Sequence, residues 1–186
     1  MMRIERCFLD IDGVLADFTE GVCRAFGLNY KKLYQEDAFN TWNWNRRLGI
    51  SDEEMDAACN IDFWAGLRPT SDWKGTLWML EKWLGTENTF LLTTPMPNPG
   101  SWTGKKLWVD RYVPQYSKRL IISPAKKHLY AKPGVLLVDD NQDNVINFME
   151  HGGETILVQR PWNFGTTSVQ QSINYIQEKE DIVCQG

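Results

Sequence analysis

The sequence has 186 residues, 42% of them apolar and 24% charged, with 14 Gly and 8 Pro, the make-up of one ordinary globular domain; it excludes disordered, collagenous and disulfide-stapled chains. The 20 Lys and Arg against 24 Asp and Glu leave a formal charge of −4, too little positive charge for a sequence-independent grip on long nucleic acid, though a small phosphate ligand stays open. A chain of this length buries about 70% of its extended surface and needs no metal or disulfide simply to fold.

The N-terminus carries Arg3, Glu5 and Arg6 among few apolar residues and lacks the core of a signal peptide; no run approaches the roughly 18 apolar residues of a membrane span. Cys7, Cys23, Cys59 and Cys184 form no C-x-x-C pair, so free thiols in a reducing cytoplasm are expected. The first apolar run, Cys7-Phe8-Leu9-Asp10-Ile11, predicts a buried strand that ends in acid. Residues 19–72 hold no strong strand but several helix-compatible pieces, with five aromatic residues between Phe39 and Trp64; they predict a helical insert over the edge of a sheet. Residues 73–84 place Leu77, Trp78, Leu80, Trp83 and Leu84 at helical spacing before Gly85, a C-terminal stop. Strands are predicted at 89–93, 120–122, 135–138 and 155–158, and helices at 101–113 and 142–151, the latter closed by Gly152-Gly153. The tail holds Arg160-Pro161-Trp162-Asn163 and a polar helix near 169–179, expected to pack back on the sheet.

Strands separated by helices of this length call for right-handed crossovers and a parallel sheet. The expected fold is α/β: a Rossmann-like parallel sheet of about five strands with helices on both faces and a small helical cap insert. Residues 1–18 and 73–186 would form the core and 19–72 the cap. Ligands of such folds sit beyond the carboxyl ends of the strands.

Chemistry collects at those ends. In Asp10-Ile11-Asp12-Gly13-Val14 two carboxylates two apart in extended chain project to the same side, which is costly without a hard divalent cation such as Mg²⁺. The second strand ends in Thr93-Thr94, whose hydroxyls can donate to a phosphoryl oxygen. After the third come Lys126-Lys127, able to neutralise charge on a transferring phosphoryl group. The fourth runs into Asp139-Asp140, able to complete a metal site or, with Asn141, to cap the next helix. Each feature alone has a structural reading: an acidic turn, a strand-end Thr, a solvated Lys pair, an N-cap.

Their order is more specific. D-x-D-G, then Thr, then Lys, then D-D after successive strands resembles the haloacid dehalogenase superfamily of phosphotransferases. The run from Asp10 through Ala16-Asp17 to Phe18 is similar, more narrowly, to the 5′(3′)-deoxyribonucleotidases. The resemblance implies an aspartyl-phosphate mechanism with Asp10 as nucleophile and Asp12 as general acid and base. It implies Mg²⁺ on Asp10, the Asp12 main chain and Asp140, with Asp139 supporting or sharing that role. Thr93 and Lys127 (Lys126 being the alternative) would hold phosphate oxygens, with Thr94 beside them. Phe18, Trp42, Trp44 and Trp64 would face the nucleobase. The implied substrate is a small phosphate monoester, a deoxynucleotide, handled in the cytoplasm; a homodimer is compatible with this pattern. The rival enzyme reading is another small-molecule phosphatase of the superfamily. A phospho-accepting receiver module is the rival from another class, and there the order of Asp, Thr and Lys differs.

Overall fold

The computed structural model describes residues 3–39, 41 and 43–184. Five strands, β1 (Arg6–Leu9), β2 (Thr89–Thr93), β3 (Leu120–Ile122), β4 (Val135–Asp139) and β5 (Glu154–Leu157), form one parallel sheet in the order β3-β2-β1-β4-β5. Every residue of β4 is buried, as expected of a central strand covered on both faces. The chain builds outward from β1 to β3 on one side, then crosses back to lay β4 against the other side of β1. That reversal opens a crevice above the β1–β4 pair, where α/β sheets bind ligands.

Helices α1 (Phe18–Ala25), α2 (Tyr30–Gln35), α3 (Trp44–Arg47), α4 (Asp52–Ala58) and α5 (Ile61–Ala65) occupy the insert between β1 and α6 (Trp73–Leu84). Most begin at a side-chain cap: Asp17, Asn29, Ser51 and Asn60 each accept from a backbone N–H of the first turn, satisfying donors that a helix start leaves open. The insert packs in two parts. Phe39, Trp44, Ile50 and Met55 build a small core of their own with Val22, Cys23 and Trp162, whereas Trp64 and Leu67 belong to the main core under the sheet. α5 lies close against α7 (Gly100–Tyr112), because a Cβ at Gly104 would overlap Trp64 Cβ and come within 2.7 Å of the Ile61 carbonyl. Where the chain enters and leaves the insert, 14–17 runs beside 68–70: Asp17 N donates to Arg68 O and Thr70 N to Leu15 O, at 2.8 and 2.9 Å.

α6 buries Thr76, Leu77, Leu80 and Leu84 and stops at Gly85, whose φ of 81° suits the stop predicted there. Trp78 is on the outward side of this helix, 59% exposed, so only part of the predicted apolar stripe is buried. α8 (Gln142–Glu150) starts at Asn141, which caps Asp143 N and Asn144 N. α9 (Val169–Cys184) is longer than the predicted tail helix and packs Val169, Ile173 and Ile176 into the main core. Cys7, Cys23 and Cys59 are buried free thiols. Among the described residues no helix is long and apolar enough to cross a membrane.

Candidate active site

β1, β2 and β4 and the turn after β3 deliver their polar ends to one place. Asp10 follows β1 and stays on the sheet, its N–H donating to Val138 O at 2.9 Å. Lys127 opens the turn after β3; its Nζ lies 2.9 Å from Asp10 Oδ1 and 2.6 Å from Asp139 Oδ2. It is 3% exposed, whereas Lys126 points to solvent, so Lys127 is the lysine that the fold seats among the carboxylates. Burial alone would lower its pKa; Asp10 and Asp139 outweigh that and hold the ammonium above its usual range.

The acidic pair after β4 divides its labour. Asp139 Oδ1 accepts from Asn141 N at 2.8 Å, and its Oδ2 accepts from Lys127 and from Asn144 Nδ2 at 3.1 Å, so both oxygens are engaged. Burial pushes its carboxyl up to about 6, against the pull of Lys127. Asp140 Oδ2 accepts from the Trp162 indole at 2.7 Å, while Oδ1 is buried without a hydrogen-bond partner. Burial, then Asp139 and Asp10, push the Asp140 carboxyl well above its usual value. Gly13 makes this approach feasible: its φ is 71°, and a Cβ there would overlap the Asp140 carboxylate.

Asp12 meets a partner that sequence reasoning missed. The Lys105 ammonium on α7 pairs with Asp12 Oδ2 and donates to Thr93 Oγ1 at 3.0 Å. Lys105 is 1% exposed and sits 4.3 Å from the centroid of the Trp64 ring. A signal existed: Ser101, Gly104, Lys105, Trp108 and Val109 are the buried stripe of α7, and a lysine on such a stripe requires a buried anion. Burial raises the Asp12 carboxyl, opposed by Lys105 and reinforced by Asp10. Thr93 is fully buried and faces this pair, whereas Thr94 is exposed and lines a recess of about 320 Å³ with Asp10, Lys127 and Asn144.

Beside these groups lies a cavity of about 400 Å³, lined by Asp12 and Asp140, by Phe18, Trp44, Met55 and Met96, and by Asn45, Arg46, Asp52 and Asp56. Phe18 is half-buried and lines both spaces. Trp64 borders the recess that holds Asp10 and Lys127, behind Phe18. Phe18 stacks on its ring at 5.2 Å and 11°, Lys105 covers it, and it is 2% exposed; it therefore backs Phe18 from the core. Trp44 borders the cavity but is 4% exposed and packs edge-on against Phe39. Trp42 lies outside the described residues.

A divalent cation fits this arrangement. Asp10, Asp139 and Asp140 offer oxygens within 4.8 Å of one another. Apart from the Lys127 ammonium beside Asp10 Oδ1, the buried Asp10 Oδ1, Asp12 Oδ1 and Asp140 Oδ1 have no partner. Ionised, Asp10, Asp12, Asp139 and Asp140 against Lys105 and Lys127 leave two negative charges uncompensated, and an all-oxygen donor set suits a hard ion. Asp139, with both oxygens engaged, is arranged to orient Lys127; Asp10 and Asp140 have the free lone pairs.

Residues 4–185 match the family model described as 5′ nucleotidase, deoxy (pyrimidine), cytosolic type C protein. The chain is 32% identical over 139 residues to a proposed 5′(3′)-deoxyribonucleotidase of Vibrio phage KVP40, a stretch covering 74% of this chain and 66% of that relative. Among solved structures it is similar to a haloacid dehalogenase-like family hydrolase from Xanthomonas campestris, with a TM-score of 0.62 and 9% identity over 100% of this chain and 97% of the other. It is also similar to YfnB of Bacillus subtilis, a proposed HAD hydrolase solved bound to magnesium, with a TM-score of 0.60 and 12% identity over 94% and 98%. At such identities the two structures speak for the fold alone.

Proposed function

We propose that this chain, which belongs to the family of deoxy (pyrimidine) cytosolic type C 5′ nucleotidases, is a Mg²⁺-dependent phosphatase that hydrolyses deoxynucleoside monophosphates through an aspartyl-phosphate on Asp10. The observation that carries this reading is the adjoining cavity of about 400 Å³, which reaches Asp12 and Asp140 and is lined both by apolar side chains such as Phe18, Trp44 and Met96 and by polar ones such as Asn45, Arg46 and Asp56. Such a space takes a nucleoside while its phosphate reaches Asp10.

In this mechanism the Asp10 carboxylate attacks phosphorus in line as the bond to the sugar oxygen breaks. Asp12, its carboxyl raised by burial, gives its proton to the departing oxygen; as a carboxylate it then takes a proton from the water that splits the aspartyl-phosphate. Lys127 holds the non-bridging oxygens together with Thr94, which lines the same recess, and with Thr93 at the strand end. Lys105 holds Asp12 in place. Asp10, Asp140 and the Asp12 main-chain carbonyl would hold Mg²⁺, which would supply positive charge against the repulsion between these acids and the incoming phosphate. Phe18, backed by Trp64, and Trp44 form the wall for the base; aromatic walls of this kind tolerate any base.

The test is phosphate release with Mg²⁺ from 5′- and 3′-deoxynucleotides, ribonucleotides, sugar phosphates and phosphoglycolate, with Asp10→Asn as the blank. Preference for deoxynucleotides supports the reading. Turnover of non-nucleotide phosphates alone refutes the substrate but keeps the mechanism; stable labelling of Asp10 without turnover refutes both.

A further inference from the structure

We propose that Trp162 is a positioning residue for the cation: through one hydrogen bond it commits one oxygen of Asp140 and leaves the other aimed at the ion. The proposal rests on the reading of Asp140 as a cation ligand. The Trp162 indole is buried at 6% exposure and donates to Asp140 Oδ2 at 2.7 Å, while Asp140 Oδ1 has no partner. An indole N–H is a donor only. It can fix a carboxylate rotamer but cannot compete for the metal, as a His or a second Asp in its place would.

The rest of the turn after β5 serves the same geometry. Asn163 Nδ2 donates to the Asp140 carbonyl at 2.8 Å and to Val158 O at 2.9 Å, and Asn163 Oδ1 accepts from Gly165 N at 3.0 Å. Arg160 grips Asp72 through both guanidinium NH groups, at 2.9 Å each, and donates from Nε to the Gly13 carbonyl at 2.5 Å. Main chain and side chain of Asp140 are thus both held from 160–163. The expectation that the tail only packs on the sheet is true of α9 and not of this turn.

The ring of Trp162 belongs to the small core of the insert with Val22, Phe39, Trp44, Ile50 and Met55, and it also borders the cavity beside Asp140. One side chain therefore touches the cation ligand at its nitrogen and the insert's core at its carbons. The Asp140 rotamer and the seating of the insert are set by the same residue.

The experiment measures Mn²⁺ binding to the full chain by the electron paramagnetic resonance signal of the unbound ion. Trp162→Phe keeps an aromatic ring and removes the N–H; removal of such an outer partner weakens metal binding about 10–100-fold, and that loss is expected here. Ile50→Val trims the same small core without reaching Asp140 and should lower the melting temperature in chelator while keeping wild-type Mn²⁺ affinity. Trp162→Phe within twofold of wild type, or Ile50→Val weakened as much as Trp162→Phe, overturns the proposal. If Asp140→Ala binds Mn²⁺ like wild type, the ligand reading itself fails and the proposal falls with it; if Asp140→Ala loses binding and Trp162→Phe does not, only the proposal fails.

Discussion

Lys105→Met is the most informative single change, because Lys105 lines neither cavity and acts through Asp12 and Thr93. The variant keeps the stem and the packing of α7 but removes the ion pair to Asp12 and the hydrogen bond to Thr93 Oγ1. Breaking one side of a buried ion pair costs about 3–5 kcal/mol because the other charge is left without its partner. Here the Asp12 side chain keeps 22% exposure, which places the cost at the low end, about 3 kcal/mol. That is a large fraction of the 5–15 kcal/mol typical of a domain, yet compatible with a folded protein at 25 °C. In catalysis Asp12 loses the group that fixes it, and a general acid contributes about 10²–10⁴-fold. A poor leaving group such as a sugar alkoxide depends on that acid; a nitrophenolate does not. The expected result is a kcat loss of about 10²-fold or more on deoxynucleotides and a markedly smaller loss on p-nitrophenyl phosphate. Equal losses on both substrates would sink the idea that Lys105 serves the acid.

Asp10→Asn should abolish phosphate release with an unchanged circular-dichroism spectrum; activity near that of wild type removes the proposed nucleophile. Gly13→Ala should weaken Mn²⁺ binding and slow turnover, since a Cβ there overlaps the Asp140 carboxylate and the φ of 71° strains any side chain; unchanged Mn²⁺ affinity would show that Asp140 has room to move. Phe18→Ala should raise KM for nucleotides far more than for p-nitrophenyl phosphate, and an equal rise on both would assign Phe18 to packing. Asp139, Asp140 and Asp12 all have raised carboxyl pKa values, Asp139 to about 6. Between the unfolded value near 4 and these raised values the native state binds more protons than the unfolded one, so their contribution to stability falls as pH rises through that window. Mg²⁺ offsets their charge, so the rise in melting temperature on adding Mg²⁺ should be larger at pH 7.5 than at pH 5. A rise that is equal or smaller at pH 7.5 contradicts this.

What the sequence shows of this molecule and what it hides follow from the range of the interactions. Sheet strands and their acidic ends were readable because a covered parallel strand is a short apolar run and its end is the next residue. The choice of Lys127 over Lys126 was not, since two adjacent lysines differ only in which one the turn after β3 points inward. Lys105 was hidden because its partner is 93 residues away, although its place on the buried stripe of α7 marked it as a lysine in need of an anion. Nothing local in the sequence tells that Trp64 stacks on Phe18 and lies under Lys105 at the edge of the recess, because an aromatic in an insert looks the same whatever it packs against. The role of Trp162 is not legible in the sequence, because Asp140 comes within its reach only after β5 has crossed to the edge beside β4.

The number of buried lysines is itself a functional setting. Four carboxylates and two ammonium groups leave a deficit of two positive charges, which one divalent ion neutralises. On the proposed reading a phosphate dianion would then enter a site of no net charge and be held by Lys127 rather than by a large excess of positive field. A third buried cation would bind the substrate more tightly, but it would hold the inorganic phosphate product just as well, and binding shared by ground state and transition state does not raise kcat. One lysine fewer would leave the deficit at three and remove a charge that opposes the desolvation already raising the Asp12 and Asp139 carboxyls. Placing one ammonium on each side, Lys127 between Asp10 and Asp139 and Lys105 between Asp12 and Thr93, gives each half of the site a cation of its own.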